Sequence, residues 1–362
     1  MDRKTPKIVF VSESIRRDSN TPLKYFKDFK VVHLYLNSPY KDMDKDDYKL
    51  SKQVTIESLQ EEIVKEAPDF LQGTEPFGSR LSLKLSYIIL KAQRATGAKL
   101  IVSILENRPI EKRFSKVQRA VLKVFCPRYF KTASILIALN KGAAVNIKRY
   151  FKQAKVKTGM LWGIWGVDTK VFYPSKPKEK NTVLYVGRWV EEKGVMYLLE
   201  GFLKASKKIS SLRLNLVGQG PFEAEMRKFV QENGLGSSVS FVGQVKSAKL
   251  VDLFSSAEIC IYPSVTTDRW EEQIGTVNFQ SMSCGTPVIS TLSGAIPEYI
   301  KDGEGAMLVE EKSSEAIAEA LVKFFSDLKL KTKLTSSARQ EAMKYDVKAE
   351  VAKAEKMLKE NL

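Results

Sequence analysis

The chain has a single histidine, His33, and three cysteines, Cys126, Cys260 and Cys284, that stand far apart with no Cys-x-x-Cys pair. This scarcity excludes a thiolate and imidazole zinc centre, a disulfide scaffold and a Ser-His-Asp hydrolase. His33 itself lies in the apolar run VVHLYL and reads as a packed strand residue. Long apolar runs are missing as well. The first, from Ile8 to Val11, is shorter than the roughly 7 residues a signal sequence needs, and nothing approaches the roughly 20 of a membrane span. The expected location is therefore the cytoplasm. Acidic residues are scarce in one half only. Residues 1–174 hold 33 Lys and Arg against 17 Asp and Glu, whereas the remainder holds 26 against 25, so the net charge of +17 belongs almost wholly to the first half. Within it, residues 108–157 carry 14 basic side chains and one acid, Glu111. Such a surface is built to face something anionic.

What is present is enough for two cores. A length of 362 residues with 43% hydrophobic content predicts two domains. Short apolar runs alternate with helical patterns: KIVFVS, KVVHLYLN, KLIVSIL and SILIAL each precede a helix. After Pro174 and Pro177 the rhythm restarts at NTVLYVG and continues through LRLNLVG, SVSFVG, EICIYPS and TPVIST. The pattern predicts an α/β protein with two doubly wound, Rossmann-like parallel sheets facing each other across a cleft. The expected boundaries are a first domain over residues 1–167, a linker over 168–180, a second domain over 181–345 and a last helix over 346–362 returning to the first domain. In such sheets ligands bind beyond the carboxyl ends of the strands.

Three stretches of the second half carry chemistry. In VLYVGRWVEEKG a strand ends at Gly187, and Arg188 and Lys193 supply two cations at its end, as a diphosphate requires when no metal neutralises it. The plainer alternative is two solvated charges beside Glu191 and Glu192. In LVGQGPFEAEM, Gly218 and Gly220 bracket a turn. The third glycine of a dinucleotide fingerprint is missing, so the turn supports no more than a close approach of ligand to backbone. In WEEQIGTVNFQSMSCGTPVIST, the amides of Ile274, Gly275 and Thr276 open a helix that favours an anion, and Glu272 can accept sugar hydroxyls. Gln280, eight residues beyond Glu272, reads as lying on the same helical face.

In this order, GRWVEEKG, VGQGP, VSFVGQV, IYPS, EEQIGTVNFQSMSCGTPVIS and PEYIKDGEGAMLV resemble the donor domain of the retaining GT-B glycosyltransferases of family 4, and GVDTKVFYP resembles that family's domain junction. The resemblance spans about 150 residues. It implies a retaining hexosyltransferase that uses a nucleotide-sugar, UDP- or GDP-linked, with no metal and no further cofactor. Arg188 and Lys193 would grip the donor diphosphate and Glu272 the transferred sugar, these three being the catalytic candidates. Gly187, Gly218, Val245, Ile274, Gly275, Thr276 and Gln280 would complete the donor site. Where the family's E-x7-E motif has its second acid, this chain has Gln280, and a charge-assisted bond to the ribose becomes a neutral one, weaker by roughly 1 kcal/mol.

The first half departs further. No glycine occurs between Ser12 and Leu23, where the family often has a pair, and the region of its cleft histidine reads SILENRP. Glu106, Asn107 and Arg16 are the acceptor-side candidates. Asp42 and Asp44 spell a DxD metal motif, but acidic loops produce that spacing freely, and no metal is expected there. KRFSKVQRAVLKVF places Phe114, Val117, Val121 and Val124 on one helical face and Lys112, Lys116, Arg119 and Lys123 on another. The basic stripe reads either as a helix on an anionic membrane surface, serving a hydroxyl acceptor that is lipid-linked or a glycan, or as a sheet-covering helix with a solvated face. The first makes the protein peripheral at the inner face of the membrane. A catalytically silent sugar-nucleotide-binding subunit is the alternative function. A nucleic-acid binder, which the charge alone suggests, leaves the ordered motifs without a role.

Overall fold

The computed structural model describes residues 5–16, 20–37 and 49–362, so Asp42 and Asp44 lie outside the described residues. The chain divides into two compact units. One comprises Met1–Gly166 together with Val347–Leu362, and the other Val167–Asp346.

The first unit contains seven strands: β1 (Lys7–Ser12), β2 (Lys30–Tyr35), β3 (Ser51–Gln53), β4 (Phe70–Gly73), β5 (Lys99–Ile104), β6 (Ile135–Ala138) and β7 (Val156–Lys157). They form one parallel sheet in the order β3-β2-β1-β4-β5-β6-β7. The second unit repeats the plan with β8 (Thr182–Val186), β9 (Arg213–Val217), β10 (Val239–Gly243), β11 (Ile259–Tyr262), β12 (Val288–Thr291) and β13 (Ala306–Val309) in the order β10-β9-β8-β11-β12-β13. Sequence reading missed β3, β4, β7 and β13, which are short or, in FLQG, polar at the third residue. Both sheets are doubly wound, as the alternating pattern requires.

In each sheet the strand order reverses beside the first strand, and there the ladder is short. β1 pairs with β2 from Lys7↔Lys30 to Ser12↔Tyr35, but with β4 only at Ile8↔Phe70 and Val9↔Leu71. Likewise β8 pairs with β9 from Thr182↔Arg213 to Val186↔Val217, but with β11 only at Ile259↔Val183 and Cys260↔Leu184. Past those pairs the neighbouring strands share no further rungs towards their carboxyl ends. Backbone groups there are free to meet loops or a ligand.

Helices cover the sheets with one apolar face each. Leu85, Ile89 and Ala92 of Arg80–Thr96 are buried in the first unit, and Leu198, Leu199 and Phe202 of Val195–Ser206 in the second. The last helix, Val347–Lys359, is part of the first unit, where it buries Val351, Ala354 and Leu358. Its Glu355, 6% exposed, accepts hydrogen bonds of 2.7 Å from the backbone amides of both Lys27 and Asp28. Residues 168–180, expected as a linker, are fastened within the second unit. Val167 pairs with Asp346, Thr169 Oγ1 donates to the Asp346 carboxylate at 2.6 Å, and Ser175 Oγ donates to Asp252 at 2.8 Å. The polar and proline-rich composition that suggested a linker serves these fixed turns.

Replacing Glu355 by Ala removes the shared acceptor of the Lys27 and Asp28 amides and the buried end of that contact. The expected loss is about 2–4 kcal/mol from the stability of the first unit, read as a lower urea midpoint and faster hydrogen exchange at the amides of residues 27 and 28; an unchanged exchange rate at both would refute the assignment.

Candidate functional site

The second unit has a cavity of about 240 Å³ where β8 and β11 part, lined by Tyr185, Val186, Gly187, Lys193, Tyr262, Ser264, Glu272, Gly275, Thr276 and Val277. Lys193 ends a short 3-10 turn, Glu191–Lys193, and its ammonium lies 2.7 Å from Glu272 Oε2. Ser264 Oγ donates to the same oxygen at 3.0 Å, and the Lys193 ammonium stands 4.3 Å from the ring centre of Trp270. Lys193 and Glu272, separated by 79 positions in sequence, thus form one partly buried charged pair. Beside them the helix Thr276–Ser283 starts without a side-chain cap on its amides, after Gly275 in a left-handed conformation. An uncapped helix start next to an ammonium group is a setting for an anionic group.

The loop that carries Glu272 is held by the backbone. Ala295 N donates to Glu272 O at 2.8 Å, and Gly294, at φ +51°, allows that approach, since a Cβ there would lie 2.0 Å from Glu272 O. Gly218 also has a structural role that the motif reading did not assign. At φ +141° a Cβ on it would meet Gly187 O at 1.9 Å, so this glycine lets the loop after β9 pack against the loop after β8. Trp189 N donates to Gln219 O at 3.0 Å across the same contact. Gly218 does not line the cavity.

The other donor-side candidates are dispersed. Arg188, one residue past the lining Gly187, is 63% exposed and pairs with Glu192 at 3.1 Å. Ile274 is buried and Val245 half-buried, both outside the lining. Gln280 is half-buried and also outside it. The shared helical face expected for Glu272 and Gln280 does not exist, because Glu272 lies in the loop before the helix begins at Thr276 and helical spacing does not reach it. Ser264, Trp270 and Gly294 were missed. Ser264 lies two residues past the end of β11, and the strand-end rule could have found it.

In the first unit a cavity of about 280 Å³ opens at the ends of β1, β4 and β5, bordered by Ser12, Glu13, Asn20, His33, Gln72, Thr74, Glu75 and Ser103 over a wall that includes Phe10, Trp162 and Trp165. None of the acceptor-side candidates lines it. Glu106 is buried with its carboxylate held by Arg108 Nη2 at 2.7 Å and Arg113 Nε at 3.1 Å. Asn107 is buried, its backbone pressed close to Gly142. Arg16 is exposed, and its amide donates to Asn20 Oδ1 at 2.7 Å. These positions carry internal ion pairs and turns instead. His33 is fully buried between Ser12, Asn20 and Ser51, and burial pushes its pKa down to about 4. Glu75 Oε1 accepts from the amides of Leu105 at 3.1 Å and Glu106 at 2.7 Å. Burial, opposed by those amides and aided by the Glu106 charge, raises Glu75 to about 7.

The basic segment differs from its expected single helix. A short turn, Ile110–Arg113, is followed by an extended Phe114, and the long helix Lys116–Thr132 starts at a capping box formed by Ser115 and Gln118. Lys112 and Phe114 therefore do not share that helix with Lys116, Arg119 and Lys123. The helix packs through Leu122, Cys126, Tyr129 and Phe130, which leaves Val117 and Val124 each 76% exposed and Val121 49% exposed. Among the described residues no helix is long and apolar enough to cross a membrane, and no group of three or more His, Cys, Asp or Glu could hold a metal.

Residues 167–341 match the family described as Glycosyl transferases group 1. Relatives include a glycosyltransferase of Escherichia coli strain K12 named for colanic acid biosynthesis, 26% identical over 214 residues that make up 57% of this chain and 52% of that protein. Another is the phosphatidyl-myo-inositol mannosyltransferase of Mycobacterium leprae, 30% identical over 171 residues, 47% of this chain and 44% of that protein. The chain thus spans about half the length of the curated relatives it matches. Among solved structures, Anabaena HepE in complex with UDP superposes with a TM-score of 0.78 at 17% identity, over 98% of this chain and all of that one. The likeness establishes the fold, two Rossmann-like domains of the GT-B type.

Because a folded-state value above the ordinary 4.5 means that folded Glu75 keeps a proton the unfolded chain has released, folding is penalised increasingly as pH rises towards 7. Glu75→Gln should raise Tm by roughly 3 °C or more at pH 8 and leave it nearly unchanged at pH 4, by calorimetry; an equal shift at both would contradict the raised value.

Proposed function

We propose, from the match of residues 167–341 to the glycosyl transferases group 1 family, that the chain is a retaining hexosyltransferase moving a sugar from a UDP- or GDP-linked donor to a hydroxyl acceptor, without a metal ion. The observation that carries this reading is the Lys193–Glu272 pair, joined by Ser264 and set beside the uncapped helix start at Thr276. In the reaction the bond from the anomeric carbon to the diphosphate breaks and a bond to the acceptor oxygen forms on the same face. The acceptor proton passes to a phosphate oxygen, so no side-chain base is required.

Each group then has a task. Lys193 and the amides after Gly275 stabilise charge on the departing diphosphate, where fixed donors act without reorganising. Glu272 holds the ammonium in place and accepts from hydroxyls of the transferred sugar. Arg188, exposed and paired with Glu192, would contribute a second cation to the diphosphate by turning from that pair. The relatives named for colanic acid and for phosphatidyl-myo-inositol support an acceptor that is a glycan or is lipid-linked.

The exposed valines of the helix Lys116–Thr132, among Lys116, Lys123 and Arg128, support a membrane-surface location for the reaction. Apolar side chains left in water on a basic helix are what an interfacial helix presents to lipid. The protein would then act as a peripheral protein at the cytoplasmic face.

Across a panel of UDP-, GDP-, ADP- and dTDP-sugars, one donor should be transferred or hydrolysed with EDTA present, and Glu272→Ala should lower that rate by about 100-fold or more while nucleotide still binds. Wild-type rates in that variant would sink the assignment, and binding without any turnover in the wild type would favour a silent sugar-nucleotide-binding subunit. In vesicle co-sedimentation, binding should require anionic lipid, weaken with salt and fall in Val117→Asp/Val124→Asp; equal binding to neutral vesicles would refute the surface role.

A further inference from the structure

Lys193 has two contacts of opposite kind. Glu272 Oε2 lies 2.7 Å from its ammonium, and the ring centre of Trp270 lies 4.3 Å from it. Among the described residues Glu272 is the one hydrogen-bond acceptor of that ammonium. Trp270 is half-buried and is not part of the cavity lining, whereas Lys193 and Glu272 both are.

The ring is held by parts outside the donor-site motifs. Trp270 ends a tight turn in which Thr267 N donates to Trp270 O at 2.8 Å. One residue earlier, Thr266 is clasped by both oxygens of Glu311: its amide donates to Oε2 and its Oγ1 to Oε1 at 2.9 Å. Glu311 lies two residues past the end of β13. Val265 N donates to Glu192 O at 3.0 Å, which ties the same loop to the 3-10 turn that carries Lys193. Three consecutive residues, Val265, Thr266 and Thr267, are thus fastened just before the chain reaches the indole.

The two contacts act differently on the charge. A carboxylate at hydrogen-bond distance offsets the ammonium and repels an anion that approaches it. An aromatic face attracts the cation through its quadrupole and leaves the net charge in place. Glu272 is also the group assigned to the hydroxyls of the transferred sugar, and a carboxylate that turns to them loosens its hold on Lys193. The hold of the indole does not depend on that turn.

We propose that Trp270 is a positioning residue: its ring keeps the Lys193 ammonium at the cavity, without offsetting its charge, while Glu272 engages the sugar, and Glu311 sets the ring through Thr266. The role rests on the transferase reading of this cavity, and Trp270 acts through Lys193. On that reading Glu272 marks the sugar end of the site. Lys193 beside it then meets the phosphate next to the sugar, which a nucleoside monophosphate lacks.

The test uses the full chain, with melting curves to confirm that each variant folds. Trp270→Phe keeps an aromatic face, Trp270→Leu removes it while keeping an apolar side chain, and Glu311→Ala releases Thr266 without touching the pair. Calorimetry with UDP and GDP, and with UMP and GMP, separates an effect on the diphosphate from one on the nucleotide as a whole. The diphosphate that binds the wild type should bind Trp270→Leu about 3- to 10-fold more weakly, with Trp270→Phe close to wild type, Glu311→Ala between the two, and the monophosphate unchanged throughout. In NMR of lysine-labelled protein, with the Lys193 signal assigned by its loss in Lys193→Arg, the indole should shift the ε-methylene upfield. That shift should persist in Glu272→Gln and vanish in Trp270→Leu. Equal losses for mono- and diphosphate, Trp270→Phe as weak as Trp270→Leu, diphosphate binding unchanged in Trp270→Leu, or a shift lost in Glu272→Gln would overturn the proposal. If the wild type binds neither UDP nor GDP, the donor-site reading itself fails; if it binds one and the variants do not discriminate, the role of Trp270 alone fails.

Discussion

Two rungs of parallel ladder, repeated once in each unit, are the constraint on which the rest of the molecule depends. At Ile8↔Phe70 and Val9↔Leu71, and again at Val183↔Ile259 and Leu184↔Cys260, central strands are joined firmly enough to share a core but no further. Helices cannot fill the space beyond, because the crossovers leave in opposite directions at that point. Each unit thus acquires a crevice with backbone amides and strand-end side chains around it. In the first unit Glu13 and Glu75 lie one and two residues past the ends of the separating strands, and in the second Gly187 and Ser264 do so.

The charged pair of the second unit is held by parts that contribute no chemistry of their own. Lys193 comes from a tight turn closed by Gly194, and Glu272 from a loop pinned by Gly294 and Ala295. The two loops after β8 and β9 fit together only because Gly218 and Gly220 have no side chains there. A partly buried ion pair has little net value for stability. Its use lies in fixing an ammonium and a carboxylate at one distance beside a helix start before any ligand arrives.

Much of this was legible in the sequence, for identifiable reasons. Apolar runs such as ILIA and ICIY are buried on both faces, and that made the doubly wound class readable. Lys193 and Glu272 were legible through an ordered set of motifs, although nothing in a linear spacing shows that they touch. Gln280 was misplaced because helical periodicity was extended through Gly275, whose left-handed backbone starts the helix only at the next residue. The larger omission was β4. Its FLQG has two consecutive apolar residues, with Gln72 turned to cavity chemistry and Gly73 required by the hydroxyl of Tyr129. With that strand unread, Glu75 could not be recognised as a strand-end residue, and attention went to Glu106, which the fold uses to anchor two arginines.

The contrast between the basic surface of the first unit and its cavity, which none of the described Lys or Arg residues lines, separates two quantities that are often merged. Charge spread over a surface acts across a Debye length of about 10 Å and sets how often an anionic carrier arrives; groups inside a cavity act at contact and set how long its head group stays. In this chain the two have opposite preferences. Added salt would therefore slow capture while leaving the dwell time, and with it the choice among head groups, almost untouched.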